Sequence, residues 1–310
     1  MSNPLALFPI ALAAAGGRVN GTPAANSVAA GFTLLQRSAP LVRALAGRRS
    51  AILLPPSAAV LTALAASDGR GAVLLPAAAD ADTLAAMLDD ADVGAVFTTA
   101  ALAALLPSSD RAVVLLDNAP RSATVVARGI ETVVDLGSHF GLDLEGEEAA
   151  GRDEECVVSY VSTSSAAPQQ KAYTHRDVFT LARFAVDATS LLKGDHALAL
   201  MPPDNVAAFA LSFVGPLLAG ARVSTLAGFD ADEAVRVIAG DGVSHLAADA
   251  PMYSALADAV DLRGRAAPPS ALRVCICLGA APSTDLHDRW RGLTGTELRV
   301  AEGIEDAPPA

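Results

Sequence analysis

The chain contains few aromatic residues and few cysteines, and each shortage argues against certain functions or locations. Only 4% of its 310 residues are aromatic, and its formal net charge is −12. Proteins that bind nucleic acid rely on basic surfaces and, for single strands, on aromatic stacking, so the sequence predicts no nucleic-acid partner. The three cysteines are Cys156, Cys275 and Cys277. Such a sparse, odd set is typical of a reducing compartment, which favours a cytoplasmic location, and the spacing of the last two predicts burial on one strand face.

Several motifs of well-known sites are also missing. The sequence has no Gly-x-Gly-x-x-Gly dinucleotide fingerprint and no Gly-Lys-Ser/Thr phosphate loop, and its five histidines lack metal-ligand spacing. The apolar run Leu5 to Ala15 is too short to span a membrane, and no basic residue precedes it as in a signal peptide. We therefore expect no membrane span and an amphipathic opening helix; cleavage of this segment or membrane contact is the less favoured alternative.

Short apolar segments alternate with helical patterns in the first half of the chain. This alternation predicts a parallel sheet that helices cover on both faces. The predicted helix 57–66 has Ser57 as its cap. The predicted strands are 51–55, 72–76, 94–98 and 112–116, and the predicted helices between them are 57–66, 80–90 and 100–106.

A hydroxyl-rich turn separates a predicted strand, Cys156 to Ser162, from a predicted helix that begins at Asp177. Loops of small residues with free backbone N–H groups are typical phosphate sites. The turn contains Ser162, Thr163, Ser164 and Ser165.

This stretch resembles the phosphate loop of the AMP-forming adenylating enzymes, which include acyl-CoA synthetases, firefly luciferase and peptide-synthetase adenylation domains. The family's pattern is Tyr-Thr-Ser-Gly-Thr-Thr-Gly-x-Pro-Lys-Gly, followed shortly by Thr-His-Arg. The resemblance continues through Gly220–Thr225, Phe229–Glu233 and Asp249–Tyr253, and it spans about residues 27 to 306. The residues that match the loop pattern are Tyr160, Ser162, Pro168, Thr174, His175 and Arg176.

The resemblance implies an α/β fold with two stacked, mostly parallel sheets flanked by helices, as in the first two subdomains of the acyl-CoA synthetase N-terminal domain. Residues 1–150 are expected to form the first subdomain, with the N-terminal helices and an acidic linker. Residues 151–310 are expected to form the second subdomain, which carries the altered phosphate loop. We do not expect the family's β-barrel subdomain or its mobile C-terminal domain within these 310 residues.

By the same resemblance, one set of residues marks an ATP site. Asn205 is expected to lie in the substrate pocket, beside Asp204, where the family has a histidine and an aromatic residue. Asp306 is expected to be the Mg²⁺ ligand. The expected nucleotide-binding residues are Ser162, Thr163, Ser164, Ser165, Gly279, Ala280, Ala281 and Asp306.

The departures from the pattern predict a weakened site. Thr163 and Ala166 stand where the loop has its first two glycines, and Gln169 and Gln170 replace the lysine and the third glycine. Glycine allows close backbone approach and positive φ, and lysine supplies a countercharge to the triphosphate. In the later Tyr-Gly-x-Thr-Glu motif, glutamates replace the tyrosine and the threonine, at positions 302 and 305.

Three hypotheses follow from this sequence. The first is a degenerate, non-catalytic acyl-CoA synthetase-like protein that needs no cofactor and binds a ligand or supports a partner. The second is an ATP- and Mg²⁺-dependent ligase for a fatty or aryl acid, completed by another chain. The third is a structural subunit, either in a complex with another protein or as a homo-oligomer.

Overall fold

The computed structural model describes residues 7–67, 71–137, 154–161, 168–262 and 271–300. Its strands are β1 (Arg18–Val19), β2 (Thr22–Pro23), β3 (Arg49–Leu53), β4 (Ala72–Leu74), β5 (Val93–Thr98), β6 (Ala112–Leu116), β7 (Ser122–Ala127), β8 (Ile130–Asp135), β9 (Glu155–Val161), β10 (Gln169–Thr174), β11 (His196–Ala199), β12 (Arg222–Thr225), β13 (His245–Asp249), β14 (Val274–Leu278) and β15 (Leu298–Val300).

The helices surround these strands. They are α1 (Leu7–Ala15), α2 (Ala24–Arg37), α3 (Ala39–Leu45), α4 (Ala58–Ala66), α5 (Ala81–Asp90), α6 (Ala100–Ala103), α7 (His175–Thr189), α8 (Val206–Phe209), α9 (Gly215–Leu218), α10 (Ala231–Gly240), α11 (Ala250–Leu262) and α12 (Thr284–Thr294). A π-helical segment, Ala210–Val214, joins α8 to α9 without a break.

The larger sheet has eight strands in the order β10-β9-β4-β3-β5-β6-β7-β8. Its five inner strands, from β9 to β6, run parallel. The outer strands β10, β7 and β8 each pair antiparallel with their neighbours. The mostly parallel, helix-covered sheet predicted from the sequence is therefore confirmed, whereas the β7–β8 hairpin and strand β10 were not predicted.

The second sheet has seven strands in the order β15-β14-β13-β11-β12-β1-β2. Every pair in it is parallel except β1 with β2. The prediction of two mostly parallel sheets flanked by helices is thus confirmed.

Each sheet contains a strand from the half of the chain that mainly forms the other sheet, with residue 150 as the division between the halves. Strand β9 pairs in parallel with β4, so it extends the larger sheet, while β1 near the start of the chain pairs with β12 of the second sheet. The division into subdomains 1–150 and 151–310 stays a prediction.

Helices α2 and α4 pack closely inside the core that joins the sheets. All nine residues of α4 are buried, and the largest buried apolar cluster includes α4 and strands of both sheets. Gly31 of α2 allows this approach, because a Cβ atom there would lie 2.3 Å from the carbonyl oxygen of Thr62. The Thr62 hydroxyl donates to the Ser27 carbonyl at 3.0 Å.

Two smaller predictions met different outcomes. Ser57 occupies the N-cap position of α4 as predicted, but its side chain forms no capping hydrogen bond, and its hydroxyl is buried without a partner among the described residues. Cys275 and Cys277 are free, buried and in one apolar cluster, as predicted.

Candidate functional site

The carboxyl ends of β11 and β13 form the topological switch point of the second sheet. From β11 the chain crosses to β12 on one side and then returns to β13 on the other side. Connections that leave neighbouring parallel strands in opposite directions open a crevice at the carboxyl edge, where α/β proteins bind ligands. The turn containing Asp204 and Asn205 follows β11, and Gly279 follows β14 at the same edge.

The predicted phosphate loop connects β9 to β10. Tyr160 and Gln170 pair across these antiparallel strands, and Gln169 pairs with Val161 nearest the loop. The loop residues Ser162, Thr163, Ser164 and Ser165 lie outside the described residues, as does Asp306. Their nucleotide and metal roles stay predictions.

Gln170, at the position of the family's third loop glycine, is held by side chains from two other elements. Arg49 of β3 donates from Nη1 to Gln170 Oε1 at 3.2 Å, and Gln170 Nε2 donates to Asp90 Oδ2 at 2.5 Å. The hydrogen bond from Gln170, followed by one from Tyr160, lowers the pKa of Asp90. The glutamine therefore serves as a bridge between the start of β3 and the end of α5.

Arg49 and Tyr160 complete this polar network. Arg49 forms a bidentate ion pair with Glu155, with Nε–Oε1 at 2.7 Å and Nη2–Oε2 at 2.9 Å, and this contact raises the pKa of the arginine. Tyr160 donates its hydroxyl to the Met87 carbonyl at 2.8 Å and lies 3.0 Å from Asp90 Oδ2. Burial raises the pKa of Tyr160. The tyrosine that matches the family pattern is thus anchored to α5.

Lys171 is the first cation after the loop, and its ammonium lies over an aromatic ring. Its Nζ is 5.0 Å from the centroid of the Tyr173 ring, within the range of a cation–π contact. The two residues are two positions apart on β10, so their side chains share a face.

The Thr-His-Arg motif begins α7 with a reciprocal cap. The Thr174 hydroxyl accepts from the Asp177 N–H at 3.1 Å, and the Asp177 carboxylate accepts from the Thr174 N–H at 2.8 Å. His175 is fully buried at the first helical position. This capping box fixes the point where β10 ends and the helix starts.

Asn205 and Asp204 differ in what their side chains do at the switch point. Asn205 is exposed, and its Oδ1 accepts from the Ala208 N–H at 3.0 Å, which caps α8. Its predicted place in a substrate pocket stays a prediction. Asp204 Oδ1 is buried without a hydrogen-bond partner among the described residues, and burial raises the pKa of this carboxyl.

Gly279 makes the turn at the end of β14. Its φ is +74°, a left-handed conformation that favours glycine. Ala280 and Ala281 follow, and all three residues are exposed. An exposed turn at this edge is compatible with the predicted adenine contact, which stays a prediction.

The described ranges contain neither a cluster of potential metal ligands nor a membrane-spanning helix. There, no three His, Cys, Asp or Glu side chains come together as potential metal ligands. None of the helices in that part of the chain combines the length and the hydropathy that crossing a membrane requires.

Comparison with known proteins places these features in a family. The family model described as AMP-binding enzyme matches residues 39–303. A long-chain fatty-acid–CoA ligase of Thermus thermophilus is 27% identical over 156 residues, which are 50% of this chain and 28% of that ligase. The chain therefore spans well under half the length of this curated relative.

Solved structures agree in fold. The anthranilate CoA ligase AuaEII in complex with anthranoyl-AMP has a TM-score of 0.74 at 15% identity, covering 96% of this chain and 59% of that one. The N-terminal domain of FACL13 from Mycobacterium tuberculosis has a TM-score of 0.71 at 16% identity, covering 97% of this chain and 75% of that one. The chain belongs to the AMP-binding enzyme family and is an acyl-CoA synthetase-like member of it.

Proposed function

We infer that this chain is a non-catalytic, acyl-CoA synthetase-like protein that binds a ligand or supports a protein partner without forming an acyl-adenylate. The observation that carries this proposal is the placement of the side chains after the phosphate loop. Gln169 replaces the family's lysine, and Lys171, the first cation after it, lies over Tyr173. Neither residue offers the triphosphate a dedicated countercharge.

The position of Gln170 supports the same conclusion. A glycine there lets the backbone approach a phosphate, whereas Gln170 is tied to Arg49 and Asp90 by its side-chain amide. The Asp90 carboxylate at this contact adds negative charge near the start of β10. These residues fit a structural bridge better than they fit the binding of MgATP.

The substrate end of the site has also changed. Asp204 and Asn205 stand where the family has an aromatic residue and a histidine. Asn205 caps a helix, and Asp204 brings a partly buried carboxyl to the crevice. A hydrophobic acyl chain gains little from either side chain, because burying an unpaired carboxyl costs free energy.

A sheet edge that has no partner strand within the described ranges supports the partner part of the proposal. Strand β8 ends the order of the larger sheet, and its Ile130 and Val133 side chains are 68% and 71% exposed. Unpaired strand edges with apolar side chains pair readily with another chain. The partner part of the proposal would be contradicted if light scattering found only monomers and if cross-linking in cell extracts joined no other protein to this chain.

An ATP-dependent acid–CoA ligase is the second candidate, because the Gly279 turn with positive φ is retained and exposed. Acid-dependent exchange of labelled pyrophosphate into ATP separates a ligase that is active as this chain alone from the non-catalytic protein. A ligase that another chain completes is separated by titration with MgATP, which the ligase should bind and the non-catalytic protein should not. We expect no exchange with long-chain, aryl or dicarboxylic acids, while a long-chain acyl-CoA ligase assayed in parallel exchanges. Exchange that depends on one acid and disappears in Ser164→Ala would establish the ligase instead.

A further inference from the structure

A basic cavity lies at the amino edge of the larger sheet, away from the phosphate loop. Its volume is about 330 Å³, and its walls come from α3, the starts of β5 and β6, and the β7–β8 turn. The carboxyl end of β9, after which the predicted phosphate loop follows in sequence, lies at the opposite edge, because β9 runs parallel to β5 and β6 through β4 and β3. The cavity is therefore separate from the site that the family comparison marks.

Three arginines line this cavity in a chain whose formal net charge is −12. The guanidinium of Arg48 is fixed: Nε pairs with Asp92 Oδ1 at 3.0 Å, and Nη2 donates to the Val93 carbonyl at 2.7 Å. Arg43 and Arg128 form no ion pair or hydrogen bond with any described side chain or carbonyl. Of the described residues that line the cavity, Asp110 alone carries a carboxylate, so this lining has an excess of positive charge.

Arg128 occupies a conformation that disfavours its side chain. Together with Gly129 it forms the two-residue connection between β7 and β8, with φ values of +52° and +75°. Hairpin turns with two positive φ angles strongly prefer Asn-Gly. An arginine at this position is unfavourable for the backbone, which indicates that its side chain has a use. That side chain lines the cavity opposite Arg43 of α3.

The remaining walls suit a small organic molecule. Pro40 and Ile130 are among the apolar residues that line the cavity, and its volume lies at the lower end of the range for small-molecule sites. Guanidinium groups bind phosphate and carboxylate oxygens in a bidentate manner. Two guanidinium groups without partners among the described residues match the two negative charges of a phosphate monoester, and Asp110 provides an acceptor for a ligand hydroxyl.

We propose that this cavity binds the phosphate group of a small phosphorylated organic molecule, with Arg43 and Arg128 as the ligand-binding residues and Arg48 as a fixed wall. The proposal does not depend on the function inferred above. It holds equally for a ligase and for a non-catalytic protein, because the cavity lies at the other edge of the sheet.

The test is isothermal titration of the full chain with glycerol 3-phosphate, inorganic phosphate and glycerate. We expect saturable one-to-one binding of glycerol 3-phosphate, at least tenfold weaker binding of the other two, and a decrease in affinity with added salt. Arg128→Asn removes the cation and places a preferred residue in the turn, so this variant should fold at least as well as the wild type. We expect it and Arg43→Gln each to weaken binding at least tenfold.

Arg236→Gln is the matched control, because Arg236 is an exposed arginine on α10, outside the cavity lining. It should bind glycerol 3-phosphate as the wild type does. Unchanged binding by a folded Arg128→Asn variant would overturn the proposal. So would equal affinity for glycerate, equal affinity for inorganic phosphate, or no saturable binding of glycerol 3-phosphate at millimolar concentration.

Discussion

Replacing Asp204 by asparagine should stabilise the protein at neutral pH. Asp204 Oδ1 is buried without a partner among the described residues, and burial raises the pKa of the carboxyl, while the backbone N–H groups of Asp204 and Asn205 oppose that shift. Asparagine keeps an oxygen that can accept from these N–H groups and removes the ionisable group. The variant therefore avoids the free-energy cost of keeping a carboxyl group at a buried, desolvated position.

The size of the effect follows from the cost of an unsatisfied buried polar group, about 1–3 kcal/mol. An unfolding entropy of about 2.1 cal/mol/K per residue gives about 0.65 kcal/mol/K for a chain of this length. The expected rise in Tm at pH 7 is therefore about 2–5 °C. A raised pKa in the folded state means that the wild type loses stability as the pH rises above about 3.8, the ordinary value for aspartate.

The assay is urea unfolding and thermal unfolding of both proteins between pH 4 and pH 7.5. The stability gap between Asp204→Asn and the wild type should be small at pH 4 and should widen towards pH 7.5. Asp230→Asn is the control, because Asp230 caps α10 through its Oδ1 and asparagine caps equally well. A variant that is less stable than the wild type at pH 7, or a gap that does not change with pH, would refute this account of Asp204.

Two other predictions concern stability. Gly31→Ala should destabilise the chain by about 1–3 kcal/mol in urea unfolding, because the new Cβ would lie 2.3 Å from the Thr62 carbonyl oxygen. The control Gly240→Ala has nothing within 4 Å of its new Cβ, so it should be neutral or slightly stabilising. Equal effects of the two substitutions on stability would count against the close α2–α4 contact. Burial lowers the pKa of His196 and of His245, whose ring nitrogens are satisfied by neighbours such as Ser224 and Thr189. The contribution of these histidines to stability should therefore be full above about pH 6.5 and fall below it, by up to about 1.4 kcal/mol per pH unit for each histidine. A flat profile from pH 7.5 to 5.5 in the Asp204→Asn variant, which lacks the opposing titration of Asp204, would contradict the inferred burial.

Local sequence signals predicted the elements whose residues decide their own conformation. The apolar segments around Ile52, Val73 and Val114 predicted buried parallel strands, and all three residues lie in β3, β4 and β6. The predicted start of α7 at Asp177 lies two residues inside the helix, because Thr174 and Asp177 form a capping box that was not predicted. Boundaries shifted because capping residues, rather than the apolar pattern, set the ends of helices.

The elements that were missed lack such signals. Strand β10 is polar, with the sequence Gln-Gln-Lys-Ala-Tyr-Thr, and it forms because β9 offers a free edge. The β7–β8 hairpin turns at Arg128-Gly129, which lacks the Asn-Gly signature of such turns. The bridge from Arg49 to Glu155 and Gln170 joins residues more than 100 positions apart. No local pattern can specify contacts of that kind.

The family resemblance marked the turn at Gly279 and the Thr-His-Arg motif that begins at Thr174, although the predicted nucleotide contact of Gly279 stays a prediction. It did not anticipate that Gln170 bridges two elements or that Lys171 lies over Tyr173. Both facts depend on the pairing of β10 with β9, which the sequence did not predict.

The most direct test of the central claim is isothermal titration of the chain with MgATP, beside a variant that restores the family's loop through Thr163→Gly, Ala166→Gly and Gln169→Lys. This variant leaves Gln170 and its bridge to Asp90 in place. We expect no saturable heat from the wild type at 1 mM MgATP, which means a Kd weaker than about 1 mM, or less than about 4 kcal/mol of binding free energy. The variant should bind MgATP at least tenfold more tightly. Saturable one-to-one binding of MgATP by the wild type would contradict the claim that its loop no longer holds the nucleotide.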